Sequence, residues 1–164
     1  MALQAPVPLA DHHALESFAC GVMTLDEWLK RRARFNQTEG ASRTYVLCDD
    51  ADVIGYYAIA SGGIAVADAH GRFRRNMPDP IPVAILGRLA VDARYHGRGI
   101  GRALFRDAAQ RILQAADILG IRGLIVHAIS DEAKTFYEAL GLMPAAQEPM
   151  TLMATLSSLR TALD

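Results

Sequence analysis

Three glycines at alternate positions, Gly97, Gly99 and Gly101, lie inside Leu89-Ala90-Val91-Asp92-Ala93-Arg94-Tyr95-His96-Gly97-Arg98-Gly99-Ile100-Gly101-Arg102-Ala103-Leu104. Glycine lets the main chain come close to a ligand and take dihedrals that a side chain forbids. Free N–H groups at a helix start, with the positive end of its dipole, attract phosphate. The stretch therefore predicts an apolar strand, a tight turn and a helix start that together hold a phosphate-bearing ligand. The plain alternative is a glycine-rich turn that only joins a strand to a helix.

Spacing separates the kinds of phosphate loop. A P-loop needs Gly-x-x-x-x-Gly-Lys-Ser/Thr, and no lysine follows these glycines. A dinucleotide fingerprint needs Gly-x-Gly-x-x-Gly, whereas the spacing here is Gly-x-Gly-x-Gly, past the middle of a short chain. A third pattern, Gln/Arg-x-x-Gly-x-Gly/Ala, fits Arg94-Tyr95-His96-Gly97-Arg98-Gly99. On these residues the stretch resembles the coenzyme A pyrophosphate loop of the GNAT superfamily of acyl-CoA-dependent N-acetyltransferases. The resemblance implies an α/β (α+β) fold with a mixed central sheet flanked by helices, and acetyl-CoA as cofactor. It implies a coenzyme held by Arg94, His96, Gly97, Arg98, Gly99, Ile100, Gly101 and Arg102. The strand before the loop would splay, so that the backbone of Leu89, Ala90 and Val91 pairs with the pantetheine arm and offers an N–H to the developing oxyanion.

A second segment, Ala133-Lys134-Thr135-Phe136-Tyr137-Glu138-Ala139-Leu140-Gly141-Leu142, resembles the GNAT element Ala-x-x-Phe-Tyr-x-x-x-Gly-Phe. By that resemblance Tyr137 points at the coenzyme sulfur. A tyrosine of ordinary pKa, about 10, is neutral at pH 7 and can donate its proton to a leaving thiolate. Phe136 packs its helix on the sheet and counts among the coenzyme contacts. Ser130 stands where the family often has Asn; it is an N-cap and a further candidate for a coenzyme contact. A general base is missing from Ile81–Val91, whose first following carboxylate is Asp92. His127, on the next strand, is either a base or a core or hydrogen-bonded histidine. A lysine ε-amine, pKa about 10.4, must lose a proton before it attacks, whereas an α-amine at about 7.7–8.0 is already partly neutral. The chain is better equipped for α-amines.

Further segments agree with a narrower group: Phe18-Ala19-Cys20-Gly21, Leu25–Leu29, Ser42–Val46, Val53–Ala58, and Pro80–Val83 leading into Leu86–Asp92. In order and spacing they resemble the GNAT-type toxins of bacterial toxin–antitoxin modules. The resemblance implies acetylation of the α-amine of aminoacyl-tRNA, a ribbon-helix-helix antitoxin, operator DNA bound only through the antitoxin complex, and a homodimer. Charge agrees locally. From Arg72 to Arg106 there are eight arginines, opposed only by Asp79 and Asp92, in a chain of net charge −1. Clustered arginine suits phosphate-rich partners. Arg72, Arg74 and Arg75 are expected on the tRNA backbone and Arg88 at the active-site mouth. Two other readings stay open: a GNAT enzyme acting on a small amine or a protein N-terminus, and a non-catalytic acyl-CoA-binding or repressor-complex protein.

The elements that must position these residues follow from periodicity. The 164 residues, 51% hydrophobic and 21% charged, suit a single globular domain spanning residues 1–164. No apolar run approaches the ~20 residues of a membrane span, and the first residues lack a signal-peptide pattern. Cys20 and Cys48 have no metal-ligand spacing and read as reduced thiols, so no metal, no membrane and a cytoplasmic location are expected. Residues 6–9 suggest an edge strand. Thr24 and Glu27 form a capping box for a helix to about Gln37, with Leu25, Trp28, Leu29 and Phe35 as its apolar face and Gly40 closing it. Strands are expected at 44–47, 53–60, 81–91, 124–129 and 151–156, and a loop at 61–80. Ile100, Leu104, Ala108, Ile112 and Leu119 give one face of a helix stopped by Gly120. Ser130 caps a helix to Leu140, closed by Gly141.

Overall fold

In the computed structural model, which describes residues 3–145 and 147–163, the long apolar run forms a strand with the expected bounds. In chain order the described elements are β1 (Val7–Pro8), α1 (Met23–Arg31), α2 (Ala33–Thr38), β2 (Arg43–Asp49), β3 (Asp52–Ile64), α3 (Gly71–Arg74), β4 (Ile81–Val91), α4 (Ile100–Ala115), β5 (Gly123–His127), α5 (Asp131–Ala139), β6 (Met143–Pro144), β7 (Thr151–Thr155) and α6 (Leu156–Leu163). The strands form one mixed sheet in the order β1-β2-β3-β4-β5-β7-β6. The expected α/β (α+β) class is the one found. β1, β2 and β3 are antiparallel neighbours, with a register shift between Leu47 and Cys48. β4 runs parallel to β5 over Ala84–Leu86, where that ladder ends, and β5 is antiparallel to β7. Among the described residues no helix is long and apolar enough to cross a membrane.

The chain divides into two compact units: residues up to Ala60 with Gly87–Ala108, and Ser61–Leu86 with the residues from Ala109 onward. The first unit is built on Phe18, Leu29, Val46, Val53, Tyr56 and Ala90. Phe18 meets Tyr56 edge-on at 5.5 Å, Trp28 stacks on Tyr56 at 6.0 Å, and the Tyr56 hydroxyl donates to the Leu25 carbonyl at 2.7 Å. Each large side chain fully buried here contributes about 1.5–3 kcal/mol. Gly55 on β3 lets α4 approach, since a Cβ there would lie 3.1 Å from Leu104 Cδ1. The second unit packs Ala69, Phe73, Ile81, Val83, Ile125 and Met153.

Several expectations need correction. The helix predicted over 24–37 is two helices. Arg32, at φ −118°, ends α1 and begins α2. Long-range bonds hold α2 on its own course: Arg34 donates to the carbonyls of Ala10 and His13, and Gln37 bridges the Leu9 carbonyl and the Thr44 N–H. Thr24 is not the cap, because α1 starts one residue earlier behind Val22, and Glu27 pairs with Arg31 instead. Phe35 is exposed, while Ala33 is buried in its place. The presumed loop 61–80 contains the end of β3, a 3-10 turn at Val66–Asp68 and α3, whose N-cap is His70. α4 stops at Ala115, so Leu119 lies outside the helix and is exposed. β5 ends at His127, leaving Ile129 exposed. β7 ends at Thr155, whose hydroxyl accepts from the Ser158 N–H and starts α6 in place of more strand.

Candidate active site

Asp92, at the end of β4, organises the glycine loop. Its carboxylate is buried and accepts four hydrogen bonds: from the N–H of Ala19 (3.1 Å) and from the N–H, Nε and Nη2 of Arg94 (3.0, 3.0 and 3.2 Å). Burial alone would push this carboxyl up, but the Arg94 and Ala19 bonds and the Arg94 charge outweigh it and hold Asp92 below the ordinary range. The Ala93 N–H donates to the Ala19 carbonyl at 2.9 Å, so the 3-10 turn Ala93–Tyr95 is sewn to that residue. Tyr95 donates to Asp49 Oδ2 at 2.8 Å, a bond that raises the phenol's pKa. The Asp92 and Asp49 carboxylates are thereby turned onto protein donors, and Ala93–Arg106 contains no carboxylate.

Beyond this anchor the chain turns on Gly97 and Gly99, at φ +78° and +77°. A Cβ at either would meet nothing within 4 Å, so the loop has an open side. The Ala103 N–H reaches the Gly99 carbonyl at 3.1 Å as the first bond of α4. The N–H groups of Ile100, Gly101 and Arg102 consequently have no acceptor inside the helix. Arg98 lies over the Tyr95 ring at 5.1 Å, and Arg102 is exposed. Positive φ, open space, unpaired N–H groups and local arginines fit a diphosphate. Arg94 uses two of its five N–H donors on Asp92 and keeps three. His96 donates from Nε2 to the Val91 carbonyl at 2.6 Å, so that carbonyl is already occupied. Leu89 is half-buried and Ala90 buried, on the part of β4 beyond the end of the β5 ladder. Arg88 is half-buried with its guanidinium 4.3 Å above Trp28, a cation–π contact.

In the second unit Ser130 caps α5 as expected, its Oγ accepting from the Ala133 N–H at 3.1 Å. That bond gives Ser130 a structural role. Two turns along, Tyr137 is buried to 6% exposure, and Phe136 meets it edge-on at 5.2 Å. Burial pushes the Tyr137 phenol well above its ordinary value, so it is protonated at neutral pH. His127 is exposed, with Nδ1 2.9 Å from Thr151 Oγ1; it is a hydrogen-bonded histidine and not a core one. Arg72, Arg74 and Arg75 are exposed on and after α3. Among the described residues no group of three or more His, Cys, Asp or Glu could hold a metal ion. Both thiols are free, and burial raises Cys20 to about 11, an inert group.

Sequence reasoning missed the anchoring role of Asp92, the Tyr95–Asp49 pair, and Arg122. Arg122 donates from Nε and Nη2 to the Phe73 and Arg72 carbonyls at 2.8 Å each. An acid two residues before an arginine at a strand end was a readable signal for the first. The other two span 46 and 49 residues or more and leave no local trace.

A family model described as an acetyltransferase (GNAT) domain matches residues 40–141, which include both the glycine loop and Tyr137. The chain is 46% identical over 159 residues to a tRNA-acetylating toxin of Mycobacterium tuberculosis, covering 97% of this chain and 96% of that one. Among solved structures, AtaT complexed with acetyl-methionyl-tRNAfMet is similar with a TM-score of 0.90 at 27% identity, over 99% of this chain and 100% of that one. A tyrosine-to-phenylalanine mutant of the AtaT toxin, bound to the C-terminus of the antitoxin AtaR and acetyl-CoA, is similar with a TM-score of 0.83 at 27% identity, over 98% and 97%.

Proposed function

This chain belongs to the GNAT acetyltransferase family, and on that premise we propose that it is a toxin that acetylates the α-amine of the amino acid on charged tRNA and so blocks translation. The observation that carries this reading is the 46% identity, across nearly the whole of both chains, to a tRNA-acetylating toxin. The base-free strand β4 supports it, since an α-amine beside an ester needs no strong base.

Acetyl-CoA, when bound, supplies an acetyl group activated as a thioester. Residues Gly97–Arg102 bind its pyrophosphate through their N–H groups, helped by the charges of Arg98 and Arg102 and the spare donors of Arg94. Leu89, Ala90 and Val91 present the backbone that lines the pantetheine arm, with an N–H for the carbonyl oxygen. His96 fixes the turn at Val91 and borders the same arm, and Phe136 packs beside Tyr137. Tyr137 holds a proton at its hydroxyl for the departing sulfur. Arg72, Arg74 and Arg75 contact the RNA backbone, and Arg88, braced on Trp28, lines the mouth of the site. One catalytic domain spans residues 1–164. The active form is a homodimer in the cytoplasm, silenced by a ribbon-helix-helix antitoxin that carries the complex to operator DNA. The bound antitoxin segment on AtaT supports an antitoxin partner here.

The test is transfer of label from [14C]acetyl-CoA into bulk charged tRNA, with uncharged tRNA and free amino acids as controls. Label confined to charged tRNA is the expected result. Label on small amines or protein N-termini, with none on RNA, would reject the substrate and keep the enzyme class.

A further inference from the structure

The second unit carries a basic cavity of which the RNA contacts described so far use Arg72 alone. It has a volume of about 640 Å3 and is lined by Arg72, Arg122 and Arg160, by Ser157 and Ser158, and, among the described residues, by no carboxylate. Arg122 holds it together. Its N–H donates to the Pro82 carbonyl at 2.8 Å, its carbonyl accepts from the Leu156 N–H at 3.4 Å, and its side chain grips the Arg72 and Phe73 carbonyls. The strand start, α3 and α6 are thereby tied at one residue. Two of the five guanidinium donors are used there, and three remain. Thr155 Oγ1 accepts from the Ser158 N–H and donates to Ser158 Oγ, which sets the start of α6 and carries Arg160 onto the rim.

Three arginines line one hollow, and like charges gathered in this way are relieved when an anion sits among them. The planar fork of arginine matches phosphate oxygens two at a time, and serine hydroxyls add neutral donors. A hollow of this size takes a nucleotide-sized group. Arg74 on α3 and Arg75 just after it extend the charge outside the cavity, so the track suits a polymer better than a free phosphate or mononucleotide. We infer that the Arg72–Arg122–Arg160 cavity clamps the phosphodiester backbone of the RNA substrate; this inference rests on the tRNA reading above.

The test uses the full chain and its Arg160→Ala, Arg160→Glu and Arg72→Ala variants. Arg160 is exposed near the end of α6, so its replacement leaves the fold intact. Uncharged tRNA binding is followed by fluorescence anisotropy over a KCl series, and acetylation of charged tRNA is measured in parallel. Each lost phosphate contact should flatten the slope of log affinity against log salt by about 0.7–0.9. Affinity at low salt should fall several-fold for Arg160→Ala and further for Arg160→Glu, with acetyl-CoA binding retained. Unchanged affinity and slope in both Arg160 variants would overturn the inference. So would an equal loss in Lys30→Ala, on the exposed side of α1, or full displacement of the RNA by millimolar phosphate, or equal affinity for duplex DNA. RNA binding that depends on Arg160, without label transfer to charged tRNA, would fault the proposed reaction and leave the clamp standing.

Discussion

Replacing Asp92 by Asn should be almost as harmful as replacing it by Ala. The carboxylate presents an acceptor on each edge. Oδ2 takes the Ala19 N–H and Arg94 Nη2, and Oδ1 takes the Arg94 N–H and Nε. An amide has one acceptor edge and one donor edge, so in either orientation its NH2 faces N–H donors. The exposed Arg94 guanidinium finds water when released and adds little. The Ala19 and Arg94 main-chain groups, facing a side chain that is 2% exposed, are the ones left without an acceptor. Losing one such bond costs about 1–3 kcal/mol. For a chain of this size a cost of about 2 kcal/mol lowers Tm by about 4–8 °C. The coenzyme should also bind more weakly, because the turn sewn to Ala19 is the base of the glycine loop. The pH dependence has a defined sign. The folded carboxyl titrates below its unfolded value of about 3.9, so its stabilisation is complete above that value and is lost as pH falls through the folded one. Urea unfolding at pH 7 and again at pH values below the unfolded value of about 3.9, with calorimetric acetyl-CoA titration at pH 7, measures all three effects. An Asn variant with the melting temperature and coenzyme affinity of the parent would refute the reasoning.

Tyr137→Phe should keep coenzyme binding and lower kcat by about 10²–10⁴-fold, measured as label transfer. Because burial raises the Tyr137 phenol, ionisation of this group should cause no alkaline loss of activity below about pH 10 in the parent. Parent-like turnover in the Phe variant would remove Tyr137 from the chemistry. Gly97→Ala and Gly99→Ala each force a side chain into the left-handed region at about 1–2 kcal/mol. Both should weaken acetyl-CoA in calorimetry, and unaltered affinity would reject the loop assignment. Ser130→Ala should cost about 1 kcal/mol of stability and Ser130→Asp almost nothing, since aspartate also caps. Loss of coenzyme affinity in a stable Ser130→Asp protein would show that Ser130 does more than cap its helix.

Features encoded over a few neighbouring residues were legible. The bounds of β4, the turn on Gly97 and Gly99, and the Ser130 cap each depend on local composition and local dihedral demands. Where a distant contact decides the outcome, local pattern failed. The break at Arg32 involves no proline or glycine; α2 is held by side-chain bonds that span 21 to 28 residues. α3 has four residues, too few to display a period. α6 follows β7 without a gap, and its cap, Thr155, is itself a good strand residue. The arginine count located a charged window, but Arg122 and Arg160 lie outside it in sequence and share one cavity with Arg72 only in the fold.

The two outermost strands, β1 and β6, are two residues long, and each contains a proline, Pro8 and Pro144. A long bare strand edge invites another chain to add itself, which is the first step towards aggregation. Proline has no N–H to offer, and two residues give a visiting strand almost no ladder to extend. Both margins of this sheet are therefore blunted against intermolecular growth. A peptide that adds itself to either outermost strand would find almost no ladder there, so helices, loops and side chains offer it more to hold.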